Sequence, residues 1–183
     1  MTPRCSVFVA ISLDGFIARS DGSIDWLQAL NKSVPADEDC GYAAFMSDVD
    51  VLVMGRRTFE QVLGFDDWPY GATPVVVMSS GEVSIPAGIA DRVSATRESP
   101  RTLVERLGAG GAKHLYIDGG LAVQSFLAEG LIDDLTITLV PILLGEGKPL
   151  FGKLPGDVRL EHVKTHAYAF GYVQHVYRVT RTS

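Results

Sequence analysis

The chain has 183 residues, 46% of them hydrophobic and 21% charged, enough for one sizeable core and too few for two ordinary domains, so residues 1–183 are expected to form a single domain. A net charge of -6 sets aside no basic face for nucleic acid or an anionic membrane, and no apolar run approaches the roughly 20 residues of a membrane span. The first twelve residues lack the charged start and small-residue cleavage site of a secretory signal, so the cytoplasm is the expected compartment and Cys5 and Cys40 are expected as reduced thiols.

In chain order, the apolar run Val7 to Ser12 reads as a buried strand that ends at the Asp14-Gly15 turn. Asp37 to Asp48 carries Tyr42, Phe45 and Met46 at helical spacing behind acidic residues, which predicts the first helix. Val49 to Met54 is a second buried strand, and Arg56 to Leu63 returns to helical spacing after Gly55. Thr73 to Met78 and a weaker run at Arg92 to Ala95 follow as strands, then a helix from Pro100 to Leu107. His114 to Ile117 is a further strand, joined by Asp118-Gly119-Gly120 to a helix over Leu121 to Leu127 that stops at Gly130. Leu135 to Leu144, Val158 to His166 and Tyr172 to Thr180 are strands with no helix between them, and so pair antiparallel at the end of the sheet. The fold class is α/β, a mixed and mostly parallel sheet flanked by helices, with antiparallel strands at the C-terminal end.

Gly55-Arg56-Arg57-Thr58, Ser79-Ser80-Gly81 and Asp118-Gly119-Gly120 each follow a strand. Ligands of open α/β sheets collect at those carboxyl ends. Glycine lets backbone approach a phosphate, N-H groups at a following helix start attract its charge, and arginine and hydroxyl groups supply hydrogen bonds. Together the three turns describe a cradle for a dinucleotide. No GxGxxG follows the first strand, so the Rossmann fingerprint is missing from its usual place. No metal site is expected. The one histidine pair at i, i+4, His162 and His166, falls on a strand, where residues four apart lie about 13 Å from each other.

Four stretches in order, Ala10 to Ala18, Val53 to Glu60, Ile117 to Gly120 and Gly130 to Leu135 with Pro141 to Gly147, resemble the dihydrofolate reductase superfamily, above all the branch containing the reductase domain of bacterial riboflavin biosynthesis. The resemblance spans nearly the whole chain. It implies an NADPH-dependent oxidoreductase that passes a hydride to a small pterin-like or pyrimidine-like ring. On the cofactor side it implies Ala10 and Ile17 beside the nicotinamide and Gly55, Arg56, Arg57 and Thr58 on the phosphates. Ser79 and Ser80 would take the adenosine side, with Arg57 and Ser79 near the ribose 2'-phosphate, and Gly119, Gly120, Leu121 and Ala122 would line the pyrophosphate. On the substrate side it implies Asp39 as the carboxylate that supports protonation, with Asp37 and Glu38 as rivals, Trp26, Tyr42 and Phe45 as pocket walls, and Thr138 as a support for the carboxylate. The riboflavin reductase, which acts on 5-amino-6-(5-phosphoribosylamino)uracil, usually has Lys after Asp-Gly in the first motif. This chain has Phe16, and a phenyl ring offers nothing to a ribose phosphate. Asp14 itself reads equally well as a turn cap. A nucleotide-binding sensor or assembly protein that keeps the cradle without turnover is the alternative from another class. The family also implies a homodimer through the late strands, with Leu139 to Leu144 as an apolar segment suited either to that contact or to the core.

Overall fold

The computed structural model describes residues 2–180; residue 1 and residues 181–183, the ends of the expected domain, lie outside the described residues. Ten strands, β1 (Arg4–Ser12), β2 (Phe16–Ala18), β3 (Val51–Gly55), β4 (Val75–Met78), β5 (Val93–Thr96), β6 (His114–Asp118), β7 (Asp134–Val140), β8 (Lys148–Pro149), β9 (Arg159–Ala167) and β10 (Val173–Thr180), alternate with five helices. The helices are α1 (Asp25–Asn31), α2 (Tyr42–Met46), α3 (Arg56–Val62), α4 (Pro100–Ala109) and α5 (Gly120–Ala128). Eight strands form one sheet in the order β5-β4-β3-β6-β1-β7-β10-β9, and β2 pairs with β8 in a separate ribbon. The pairings from β5 to β7 are parallel, while β10 runs antiparallel to both β7 and β9.

Alternation along the strands divides the core in two. Val7, Val53, Leu115 and Ile117 point to the side covered by α4 and α5, where Leu103, Val104, Val123 and Phe126 are fully buried. Phe8, Met54 and Tyr116, one residue out of phase, point to the other side, under α2 and α3 with Phe45 and Phe59. Trp26 of α1 is buried on a third cluster with Val140 and Tyr172, next to Ala10. Each fully buried Leu, Phe or Met contributes about 2–3 kcal/mol relative to exposure, so burial on both faces is what holds the sheet between its layers.

Several expected elements are corrected. The helix expected over Asp37 to Asp48 shrinks to α2, because Cys40 and Gly41 have φ of 56° and 82°, a left-handed backbone that a right-handed helix cannot contain. The first helix is instead α1, around Trp26. The strand expected to reach Leu144 stops at Val140, since Pro141 has no N-H for a ladder and Ile142 turns back onto Val140 O at 2.8 Å. Leu139 packs against the core while Leu143 is 68% exposed, so that apolar segment divides between two environments. No helix among the described residues is long and apolar enough to cross a membrane, and no cluster of His, Cys, Asp or Glu there could hold a metal ion.

Candidate functional site

Parallel pairing brings the ends of β4, β3, β6 and β1 to one edge of the sheet. Met54 stands beside both Val77 and Asp118, so the turns that follow these strands start at nearly one level. A Cβ added to Gly119 would collide with Thr58 Oγ1 and lie 3.2 Å from Thr58 Cβ. One added to Gly120 would lie 2.9 Å from Ile17 Cδ1 and 3.1 Å from Pro149 O. These two glycines therefore exist for close approach, and Gly119 also needs its φ of 86°. Gly119 caps the start of α5 without a side-chain hydrogen bond, which leaves the N-H groups of the first turn facing this edge. On the next strand, Ser79 N is held by Thr96 O at 3.0 Å and Ser79 Oγ accepts Gly81 N at 3.1 Å. Arg56 lies over that turn, its Nη1 3.5 Å from where a Gly81 Cβ would stand.

The cradle borders a carboxylate. Asp118 ends β6 on the side of Met54 and Phe8, and its Oδ1 accepts the Gly119 N-H at 2.8 Å. Burial raises its pKa to about 6, against the smaller downward pull of the Gly119 N-H and the Tyr116 hydroxyl. Tyr42, Tyr70 and Tyr116 stand close enough for that charge to act on each of them, and burial pushes the Tyr42 hydroxyl up to about 12. Aromatic rings pack on the same side of the sheet: Phe8 contacts Tyr42 at 5.6 Å and Phe45 at 5.0 Å, and Phe45 meets Tyr116 edge-on at 5.0 Å. A carboxyl group with a pKa near 6 can hold or release a proton close to neutral pH.

Several expected cofactor residues lie here: Gly55 opens α3, Gly119 meets Thr58, Gly120 meets Ile17, and Ser79 lies in the neighbouring turn that Arg56 reaches. Both arginines are exposed, and it is Arg56 that reaches the Ser79-Gly81 turn and also faces Glu60 at 3.7 Å. Ser80 is exposed at the same turn, and Leu121 is 70% exposed. Ala122 is 4% exposed, with its side chain in the core, so its backbone is the part open to a ligand.

On the substrate side, Asp39 lies at the surface just before α2. It is exposed, its carboxylate accepts Gly41 N at 2.8 Å and Ala43 N at 2.7 Å, and those N-H groups hold its pKa below the usual value. A carboxylate kept ionised at a helix start is a poor proton source. Asp37 is exposed and Glu38 accepts Cys40 N at 2.6 Å, so neither replaces it. Trp26 is 2% exposed with its indole Nε1 buried and unpartnered, near Ala10. Ala10 pairs with Thr138, whose Oγ1 accepts Gln174 Nε2 at 3.1 Å, and the same amide reaches Cys40 O at 2.9 Å. Thr138 thus ties β7 to β10 and to the loop before α2 rather than to a carboxylate. Asp118 was expected only as part of the Asp118-Gly119-Gly120 turn; the signal for its carboxyl group is an acid before two glycines at a strand end.

The Bacillus subtilis protein YwjB is 33% identical to this chain over 162 residues, covering 87% of this chain and 89% of its own. The crystal structure of a Shewanella sp. PV-4 protein assigned to riboflavin biosynthesis superposes with a TM-score of 0.90 at 42% identity, covering 97% of this chain and 99% of that one. A Thermotoga maritima diaminohydroxyphosphoribosylaminopyrimidine deaminase/5-amino-6-(5-phosphoribosylamino)uracil reductase shares the fold at a TM-score of 0.72 and 13% identity, over 98% of this chain and 57% of that protein. The family model of the RibD C-terminal domain matches residues 3–174, and the chain belongs to that family.

Proposed function

We propose that this protein is an NADPH-dependent reductase acting on a small nitrogen heterocycle, with the cofactor across Gly55 to Thr58, Ser79 to Gly81 and Gly119 to Gly120. One observation carries the reading: three phosphate-suited turns meet at one sheet edge, around two glycines that leave no room for a Cβ, beside a carboxyl group with a pKa of about 6. The nicotinamide, when bound, supplies the hydride. The chain's own part is to grip the phosphates with the backbone N-H groups at the start of α5 and with Thr58, and to orient the ring near Ala10 and Ile17. Arg56, over the Ser79 turn, answers the ribose 2'-phosphate and so favours NADPH over NADH. Asp118 takes the proton-supplying role that Asp39 was expected to have.

Phe16 stands where a riboflavin reductase usually has lysine, and it packs within 3.2 Å of where a Gly147 Cβ would lie, which favours substrates without a ribose phosphate. The test is calorimetry with NADPH and NADH, followed by NADPH oxidation against pterins, aminopyrimidines and 5-amino-6-(5-phosphoribosylamino)uracil. Arg56→Ala should weaken NADPH about tenfold and leave NADH nearly unchanged, as expected for loss of one charge-assisted contact. Tight cofactor binding with no oxidation by any ring would favour the nucleotide-binding sensor. Equal affinity for NADPH in wild type and Arg56→Ala would sink the assignment of Arg56.

A further inference from the structure

The ribbon of β2 and β8 stands outside the main sheet, and it carries Ile17, a wall of the proposed cofactor site. With three and two residues, its strands are too short to hold a position by their own pairing. One face of α5 seats them. Gly120 and Gln124 are four residues apart on that helix and so lie one above the other. At Gly120 the missing side chain lets Pro149 O and Ile17 Cδ1 approach, to 3.1 Å and 2.9 Å from where a Cβ would stand. One turn along, the Gln124 amide donates from Nε2 to Pro149 O at 3.0 Å and to Leu150 O at 3.3 Å. Gln124 Oε1 lies against Gly152, 2.6 Å from where a Cβ there would stand, so the amide is packed as well as bonded. Leu150 N in turn donates to Gly15 O at 3.0 Å, and the Leu150 side chain is fully buried, so the grip on β8 passes to the residue before β2.

We propose that Gln124 is a positioning residue of the cofactor site: by holding Pro149 and Leu150 on α5, its amide keeps Ile17 seated over Gly120, against the nicotinamide half of the bound dinucleotide. The inference rests on the reductase reading and names the group that sets this wall. Gln124 itself touches no reacting atom. A glutamine suits the task because its amide nitrogen carries two hydrogens, one for each carbonyl, whereas a carboxylate could only accept and an apolar side chain would leave both carbonyls unmade. Without the amide, the ribbon is free to shift away from Gly120, and a wall out of place by about 1 Å no longer fits the ring. The turns at Arg56 and Ser79 follow β3 and β4, which pair with each other in the main sheet, and Ser79 N is held by Thr96 O, so they keep their places without Gln124. The effect is therefore confined to the nicotinamide half.

The experiment is calorimetric titration of NADPH and of adenosine 2',5'-bisphosphate, which keeps the adenosine end with its 2'-phosphate and lacks the nicotinamide, into wild type, Gln124→Leu, Ile17→Ala and the double variant. Gln124→Met serves as a second substitution, and a thermal melt checks that each variant folds. Gln124→Leu should weaken NADPH about tenfold, the scale of one or two lost hydrogen bonds, with the bisphosphate unchanged. Ile17→Ala should show the same split, and the double variant should lose no more than the larger single loss, because Gln124 acts through Ile17. A purely structural role would move both ligands together or neither. Wild-type NADPH affinity in folded Gln124→Leu or Gln124→Met, an equal loss for both ligands, or additive losses in the double variant would overturn the proposal. Failure of the reductase reading shows separately, as no binding of NADPH to the wild type, and takes the proposal with it.

Discussion

Two aspartates show how one side chain takes opposite characters from its surroundings. Asp39 sits in solvent with two N-H donors and stays ionised, while Asp118, at the end of β6, has its pKa raised from 3.8 to about 6 by burial. The folded state therefore binds the Asp118 proton more tightly than the unfolded chain does. Its stability is greatest below the unfolded carboxyl value and falls as pH rises through about 6, by roughly 2 kcal/mol after allowance for partial exposure. Asp118→Asn, which keeps an acceptor for Gly119 N-H, should then be more stable than wild type by about that amount at pH 8, with the gap closing towards pH 4. Urea denaturation across that range measures it, and parallel pH slopes for the two proteins would contradict the burial of a titrating group at this position. In the sequence, both residues looked alike: an acid before a helix. Three acids ahead of helical spacing pointed to 37–48, and nothing local announced that Cys40 and Gly41 turn left-handed there. Asp118 was visible only as the flank of a glycine pair, since burial at the end of β6 depends on packing across the sheet that no local pattern announces.

At the scale of elements, the long buried strands were legible because runs such as Val51 to Met54 are apolar on both faces, as a covered parallel strand requires. The short ones were not. β2 and β8 have three and two residues, too few for any period, and their pairing depends on a contact 130 residues apart. Asp14 makes that contact: its carboxylate accepts Ser12 Oγ at 2.6 Å, Gly145 N at 2.7 Å and Leu144 N at 3.2 Å. The turn cap expected from sequence is therefore also a clasp joining the loops after β1 and β7. The Ser12 hydroxyl first, and then the Gly145 and Leu144 N-H groups, hold the Asp14 pKa below its ordinary 3.8. The clasp is thus complete above that value and is lost as pH falls through the lowered one. Asp14→Ala should speed amide exchange in residues 141–150 at least tenfold at pH 7 while β3 and β6 stay protected, because two N-H groups lose their acceptor and a ribbon this short does not persist alone. Hydrogen exchange read by mass spectrometry decides it; unchanged exchange in that segment would show that the ribbon holds without Asp14.

Across the whole molecule, the eight-stranded sheet ends unequally. β5 is four residues long, whereas β9 has nine, all exposed, with Leu160 and Val163 at 43% and 50%. Beside it, Arg4, Asp133, Asp134, Val163, Val176, Tyr177, Arg178 and Val179 line a groove of about 550 Å³ at the end of the strands opposite the cradle. Long open edges invite pairing with another chain, and natural sheets usually shorten, bend or cover them. β9 has only a register shift opposite Val176 and Tyr177 to bend it. A second copy laid against β9 and β10, as a homodimer through the late strands would require, would bury Leu160 and Val163 and would leave both cradles open. Light scattering should accordingly give twice the chain mass at micromolar concentration. Val163→Glu should return the single-chain mass with the cofactor affinity intact, since a half-exposed side chain outside the core changes the stability of one chain by only about 0.5 kcal/mol. A single-chain mass for the wild type at every concentration would mean that β9 is protected by its charges, Arg159, Glu161 and Lys164, and its bend alone.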